Sequence, residues 1–181
     1  MTPARHEPPA PADLLHDWPA IDAAIDRIAA DISADLAGQR PIFLTVMNGG
    51  LVFAGQLAPR IHLDLEFDFV HASRYRGELT GTSLVWYARP HANMRGRTVL
   101  LIDDILDEGH TLAELQQYCY DQGAERVLIV VLTIKQHDRC VPEVKAAWHG
   151  LDVPDRYVFG CGMDYRGQAR NLPAIYALKG S

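Results

Sequence analysis

Cysteines and long apolar segments are both scarce in this chain of 181 residues. The cysteines are Cys119, Cys140 and Cys161, and no CxxC spacing occurs, which argues against a disulfide framework and against a zinc cluster. No apolar segment approaches the ~18–20 residues that cross a membrane. The N-terminus also lacks the basic and then apolar pattern of a signal peptide. We therefore expect a cytoplasmic protein whose cysteines are small buried or half-buried thiols.

Basic residues are outnumbered by acidic ones. Lys and Arg total 17, Asp and Glu total 23, and the formal net charge is −6. A general nucleic-acid-binding protein presents a basic face, so this balance argues against that class. An anionic small substrate remains compatible with it, because magnesium and helix N-termini can make a site locally positive.

The length of the chain suits one domain with a core of its own. Residues Met1–His16 are rich in Pro and Ala, which predicts a flexible arm in front of a domain over residues 17–181. Apolar residues then recur at helical spacing from Ile21 to Leu36. This spacing predicts an amphipathic helix that Gly38 ends.

Strand-like and helix-like patterns alternate along the rest of the chain. Two further helices are expected, over Leu51–Leu57 and Leu112–Gln122. Strands are expected over Pro41–Met47, Leu63–Phe69, Ser83–Tyr87, Arg97–Asp103, Arg126–Ile134, Tyr157–Phe159 and Ala174–Leu178. The strand over Leu63–Phe69 alternates apolar and acidic residues, which indicates one solvated face. A connection containing prolines is expected after Ile134. The order of elements predicts an α/β fold with a mostly parallel sheet.

The segment VLLIDDILDEGHTL, Val99–Leu112, combines an apolar strand with a dense acidic turn. Ligands of open α/β sheets bind beyond the carboxyl ends of the strands, where Asp103 and Asp104 are expected. Gly109 and Thr111 precede the predicted helix, whose N-terminal N–H groups can cradle a phosphate. The two acids could hold sugar hydroxyl groups, or magnesium directly or through water. A ribose 5-phosphate fits this description.

This segment closely resembles the PRPP-binding motif of the type I phosphoribosyltransferases. Other segments are similar to the hypoxanthine-guanine branch of that family. VMNGGLVFAGQL resembles its pyrophosphate-binding loop, SRYRGELTGTS its mobile catalytic loop, and VLTIKQH the strand end that supplies its purine-binding lysine. VPDRYVFGCGMDYRGQARNLPAIYAL resembles its C-terminal purine and metal segment. The resemblance runs from about residue 40 to residue 178 and implies a twisted sheet flanked by helices, with a small hood from the C-terminal segment.

The resemblance assigns roles around PRPP. Asp103 and Asp104 would bind the ribose hydroxyl groups with magnesium nearby, and Asp107 would be the general base at purine N7. The 5-phosphate would be wrapped by Glu108, Gly109, His110 and Thr111. Pyrophosphate would be held by Met47, Asn48, Gly49, Ser73, Arg74 and Arg170, and the family often has a cis peptide in the loop that contains the first three of these.

The resemblance also assigns the purine and metal contacts. Lys135 would donate to the 6-oxo group, Tyr157 would stack on the base, and Val158 would contact the base edge through its backbone. Asp164 would bind a second magnesium ion. The implied reaction joins PRPP and a 6-oxopurine to give IMP or GMP and pyrophosphate, in a homodimer or homotetramer, with no nucleic-acid or membrane partner.

Several residues depart from the family pattern. Asn48 stands where Lys or Arg is common, His110 where Lys is frequent, and Asp103 where Glu is the commoner acid. Asn171 replaces a frequent Asp beside Arg170. The remaining histidines show no ligand spacing, and no chemistry is assigned to them. They are His6, His16, His62, His71, His91, His137 and His149.

Three other functions share these motifs. One is a 6-oxopurine transferase that prefers xanthine. Another is a non-catalytic regulator of the same fold that senses PRPP or nucleotide and binds RNA, which would need a local basic face despite the net charge of −6. A third is a ligand-sensing relative that has lost turnover, to which Asn48 alone points. Asp107, Lys135 and Asp164 favour catalysis.

Overall fold

The computed structural model describes residues 7–74 and 84–180, with Arg74 described by its backbone alone. The predicted catalytic loop lies mostly outside these residues. The helices are α1 (Trp18–Asp35), α2 (Leu51–Leu57), which a 3-10 turn over Ala58–Arg60 follows, and α3 (His110–Asp121). The strands are β1 (Ala12–His16), β2 (Ile42–Met47), β3 (Glu66–Arg74), β4 (Leu84–Ala88), β5 (Thr98–Leu106), β6 (Arg126–Gln136), β7 (Ala146–Pro154), β8 (Val158–Phe159) and β9 (Ile175–Leu178).

Six strands form the main sheet in the order β4-β3-β2-β5-β6-β7. All neighbours are parallel except β3 and β4, which confirms the predicted mostly parallel sheet. Strand β7 was missed, because Trp148, His149 and Gly150 interrupt any simple alternation in its sequence. It lies at the edge of the sheet, where pairing with β6 rather than its own pattern determines its conformation.

Helices cover both faces of this sheet. Helices α1 and α2 pack on one face against Phe43, Leu100 and Ile102, in a cluster that includes the fully buried Ile25. Helix α3 packs on the other face through Leu115 and its neighbours. Buried parallel strands are apolar on both faces, which explains the uninterrupted apolar runs in β2, β5 and β6. Among the described residues, no helix is long and apolar enough to cross a membrane.

A second, three-stranded antiparallel sheet has the order β1-β9-β8. It uses the C-terminal segment, where the resemblance implies a hood, together with the N-terminal strand β1. The flexible arm expected through His16 is therefore wrong over Ala12–His16, which pairs with β9. The Arg156 guanidinium bonds Asp13 Oδ2 at 2.8 Å and the Leu178 carbonyl oxygen at 2.8 Å, and so holds this strand to its partner.

Strand β3 differs from its prediction in its start and in its faces. It begins at Glu66, and the side chains of Phe67 and Phe69, expected on the covered face, are 64% and 41% exposed. The acidic residues of β3, Glu66 and Asp68, instead bond to neighbouring segments. Glu66 pairs with Arg97 at 3.0 Å, and Asp68 accepts backbone N–H bonds from the loop after β4. Polar bonding to neighbouring segments therefore decides which face of β3 is covered.

The role of β1 gives a stability prediction. Deleting residues 2–16 removes the strand that pairs with β9 and the Leu15 side chain that packs on the main core, so the free energy of unfolding should fall by about 1–3 kcal/mol. For a chain of this size that loss lowers Tm by about 2–4 °C per kcal/mol. The control deletes residues 2–10 and keeps β1. Equal Tm values for the two deletions in a thermal denaturation experiment would contradict the assigned role of β1.

Candidate active site

One cleft of about 1030 Å³ lies at the carboxyl ends of the central parallel strands. Segments that are far apart in the sequence converge on it, as the sequence predicts for an open α/β sheet. The predicted site residues that line it are Met47, Gly49, Ser73, Asp103, Asp104, Asp107, Glu108, Gly109, His110, Thr111, Lys135, Tyr157, Val158, Asp164 and Arg170. Asn48 is exposed outside this lining, and the Arg74 side chain is outside the described part of the structure.

The acid pair lies within β5 rather than at its end. Strand β2 pairs with β5 only as far as Thr45 and Ile102, whereas β6 pairs with β5 on to Leu106. Asp103 and Asp104 therefore have β6 on one side and the turn after β2 on the other. A strand end was predicted at Asp103, and the longer ladder with β6 explains why the strand continues.

Asp104 is held from both sides. Gly49 lies so close to its carboxylate that an added Cβ would overlap it, which explains why this turn needs a glycine. The buried Thr133 hydroxyl donates to the Asp104 carbonyl oxygen at 3.0 Å. The peptide bond between Met47 and Asn48 is cis, as the resemblance implies.

Burial shifts the acidity of both carboxyl groups. It raises the pKa of Asp103 well above its usual range, and the neighbouring Asp104 charge raises it further. Burial also raises the pKa of Asp104, while the Asp103 hydrogen bond and the Arg170 charge act in the opposite direction. Two adjacent buried carboxylates repel one another, so a cation or a hydroxyl donor in the cleft stabilises the ionised pair.

The turn after β5 leads directly into α3. Gly109 caps the helix with φ of 80°, a left-handed conformation that glycine adopts without strain. The helix begins at His110, two residues earlier than predicted, and its first intrahelical bond runs from Ala113 N–H to the Gly109 carbonyl oxygen at 2.8 Å. The preceding N–H groups have no intrahelical acceptor, so the helix N-terminus can bind an anion.

Asp107 has a basic partner on each carboxylate oxygen. Lys135 Nζ lies 2.5 Å from Oδ2 and His137 Nε2 lies 2.7 Å from Oδ1. Burial raises the pKa of Asp107, but the bonds from Lys135 and His137 outweigh burial and hold the pKa below its ordinary value. The carboxyl group is therefore ionised at neutral pH.

His137 is the residue that the sequence interpretation missed. It follows Lys135 by two positions, one residue after β6 ends at Gln136, and residues two apart in an extended segment point to the same side. That spacing could have placed His137 beside the predicted lysine. Its side chain is only 3% exposed and is not among those that line the cleft, so it reaches the cleft only through Asp107.

The C-terminal segment brings Asp164, Arg170 and Tyr157 together. Arg170 donates to Asp164 Oδ1 at 2.8 Å and to the Gly162 carbonyl oxygen at 2.6 Å. Asp164 Oδ2 accepts the Gly167 N–H at 2.8 Å. The Tyr157 hydroxyl donates to the Asp164 carbonyl oxygen at 3.0 Å, so the ring and the acid belong to one bonded unit.

The oxygen donors of the cleft fit magnesium that a substrate also coordinates. No three His, Cys, Asp or Glu side chains within residues 7–74 and 84–180 group into a complete metal site. Magnesium commonly takes only one or two carboxylates and completes its shell with water and substrate phosphates. Asp103 and Asp104 offer adjacent carboxylates, and each Asp164 oxygen keeps a second lone pair besides its one hydrogen bond.

Comparison with known proteins agrees with this arrangement. The family model described as phosphoribosyl transferase domain matches residues 11–166. The hypoxanthine-guanine phosphoribosyltransferases of Streptococcus pneumoniae and Bacillus subtilis are each 32% identical over 160 residues, which is 88% of this chain. The match also spans 88% of each of these two relatives.

A solved structure is similar over nearly the whole chain. The hypoxanthine phosphoribosyltransferase of Staphylococcus aureus superposes with a TM-score of 0.86 at 28% identity, covering 92% of this chain and 91% of that one. The fold is therefore that of the type I phosphoribosyltransferases. With a family model that matches most of its length and relatives above the 30% level of identity, this chain belongs to the phosphoribosyltransferase family.

Proposed function

We propose that the protein is a purine salvage enzyme that transfers the 5-phosphoribosyl group from magnesium-bound PRPP to N9 of hypoxanthine or guanine. The products are IMP or GMP and pyrophosphate. The observation that carries the proposal is the convergence of three chemically distinct groups on one cleft: the N-terminus of α3, the acid pair in β5, and the Lys135–Asp107 pair. The relatives named hypoxanthine-guanine phosphoribosyltransferase support the same choice of substrate.

PRPP fits the cleft from its 5-phosphate end. The phosphate binds the N–H groups from Glu108 to Thr111, and the ribose hydroxyl groups bind Asp103 and Asp104. The backbone around Met47 and Gly49, together with Arg170, holds the pyrophosphate. The acid pair, and Asp164 at a second position, would hold magnesium, which would supply positive charge to the leaving pyrophosphate.

The purine fits between Tyr157 and the end of β6. Tyr157 stacks on the ring, the backbone of Val158 contacts its edge, and Lys135 donates to the 6-oxo group. A 6-oxo group accepts this bond, whereas the 6-amino group of adenine cannot and leaves the half-buried ammonium poorly paired. Lys135 therefore selects 6-oxopurines.

Asp107 takes the proton from N7 as N9 attacks C1 of the ribose. The N7–H electron pair stays in the ring, the N9–C1 bond forms, and the bond from C1 to pyrophosphate breaks. In this structure the Lys135 bond lowers the pKa of Asp107. Moving that ammonium to the 6-oxo group removes the lowering effect, which makes the carboxylate a stronger base at the moment of transfer.

Nucleotide formation tests the proposal directly. The protein with magnesium and PRPP should convert hypoxanthine and guanine, should lose turnover in EDTA and should regain it when magnesium is restored. Xanthine, adenine and uracil are run in parallel by chromatography of the products. Preference for xanthine would favour the alternative transferase, and the absence of turnover with every base would favour a ligand-sensing regulator.

Replacing the proposed base should slow the chemical step. Asp107→Asn keeps the shape of the side chain but cannot accept the N7 proton, so kcat should fall by about 10²–10⁴-fold. Steady-state assays with hypoxanthine measure this. The control is Asp121→Asn, a change at an exposed carboxylate on α3 outside the cleft, which should leave kcat unaltered. An Asp107→Asn protein as active as the wild type would remove Asp107 from the mechanism.

Replacing the lysine should weaken the use of all 6-oxopurines. Lys135→Met keeps the length of the side chain and removes the donor, so kcat/KM for hypoxanthine and guanine should fall by about 10- to 100-fold, the value of a hydrogen bond to a charged group. Lys145→Met, at an exposed lysine outside the cleft, is the matched control. Unchanged kinetics in the Lys135 variant would refute its assignment.

We also expect a homodimer or homotetramer in the cytoplasm. Light scattering on the purified protein measures the mass and so distinguishes these states from a monomer.

A further inference from the structure

The Asp107 carboxylate forms hydrogen bonds with two residues from the end of β6 and the turn that follows it. Lys135 contacts Oδ2 and His137 contacts Oδ1, and the two basic side chains are 13% and 3% exposed. The Asp107 side chain itself is 42% exposed and so remains open to the cleft. The proposed function uses Lys135 and Asp107 but gives no role to His137.

The hydrogen bonds of the imidazole identify its tautomer. The Arg139 backbone N–H donates to His137 Nδ1 at 3.1 Å, so Nδ1 acts as an acceptor and carries no proton. In a neutral imidazole the single ring proton then sits on Nε2, which points at Asp107 Oδ1 at 2.7 Å. His137 is therefore a hydrogen-bond donor to the carboxylate, with its orientation set by the backbone.

The segment that carries His137 is itself anchored. The Arg139 guanidinium forms a two-pronged pair with Asp155 at 2.8 and 2.7 Å, so it does not compete for Asp107. The Val141 N–H donates to the Glu108 carbonyl oxygen at 3.0 Å, which ties the turn after β6 to the turn after β5. His137 and Asp107 therefore sit on two turns that are bonded to one another.

We propose that His137 is a positioning residue that holds Asp107 Oδ1 throughout the reaction. This inference rests on the proposed function. Oδ2, which Lys135 contacts in this structure, becomes the acceptor of the N7 proton when the Lys135 ammonium turns to the 6-oxo group of the purine. The proton moves from N7 to Oδ2, and the Nε2–H bond to Oδ1 stays in place.

The departure of Lys135 explains why a second anchor matters. With only one partner, the carboxylate would be free to turn about its terminal bond once the ammonium had left. With Oδ1 fixed by His137, Oδ2 stays at one place and in one orientation, and proton transfer depends steeply on both. Loss of a hydrogen bond to a charged group typically costs about 10- to 100-fold.

Two variants separate positioning from mere packing. His137→Leu fills the space without a donor, and His137→Gln keeps an N–H near the position of Nε2. Single-turnover rates with hypoxanthine and magnesium-PRPP should fall by about 10- to 100-fold in His137→Leu and should largely recover in His137→Gln. The KM for PRPP should be unchanged in both. Single turnovers are used because product release can hide the chemical step.

The control is His62→Leu, at an exposed histidine outside the cleft. A His137→Leu protein with the wild-type single-turnover rate would overturn the positioning role while leaving the proposed function intact. Equal losses in the Leu and Gln variants, accompanied by a raised KM for PRPP, would overturn it in favour of a packing role. An inactive wild-type protein would overturn the proposed function and this inference together.

The tautomer gives a readout that does not depend on turnover. In protein labelled with 15N-histidine, the signal that disappears in His137→Gln belongs to His137. It should show a proton on Nε2 and none on Nδ1. A proton on Nδ1 and none on Nε2 would mean that His137 cannot donate to Asp107, and the proposal would fall.

Discussion

Parallel strands that end at different heights create the cleft. The pairing of β5 with β6 continues to Leu106 and Ile134, beyond the last pair that β5 makes with β2. Asp107 and Lys135 each come one residue after that last pair, while β6 itself continues beside β7 to Gln136, so the two side chains meet. The early end of β2 uncovers one side of the acid pair, and the turn that replaces it brings Gly49 against Asp104. Every other feature of the site is arranged around this step in the sheet.

The charges of the cleft are paired within it. Lys135 forms a salt bridge with Asp107, and Arg170 forms one with Asp164, so two cations of the cleft are each paired with a carboxylate of the cleft. Charges removed from water need such partners, because an isolated buried ion is costly. A substrate that brings phosphates and a 6-oxo group offers the same cations new acceptors. Substrate binding would thereby free Asp107 to accept a proton and Asp164 to bind magnesium, as proposed above.

Local patterns predicted much of the fold and less of its edges. Helix α2 has the predicted bounds, and the apolar runs of β2, β5 and β6 were each found, since buried parallel strands need continuous apolar sequence. Strand β1 was interpreted as a loose arm, because the Pro and Ala around it conceal a pairing with β9 more than 150 residues away. Strand β7 was missed because an edge strand follows its neighbour rather than its own pattern. The exposure of Phe67 was missed because the polar bonds of Glu66 and Asp68 decide which face of β3 is covered.

The sequence by itself determined the three helices, most strands of the main sheet, the phosphate-cradling turn before α3 and the acids beside it, because these depend on residues close together in the chain. It also indicated Lys135, through a family resemblance around the end of β6. Only the tertiary structure decided that His137 would donate to Asp107, 30 residues away. That contact depends on the register of β5 against β6 and on the Arg139 N–H that sets the tautomer. Register and tautomer arise from pairing between distant segments, and periodicity within a segment carries no information about either.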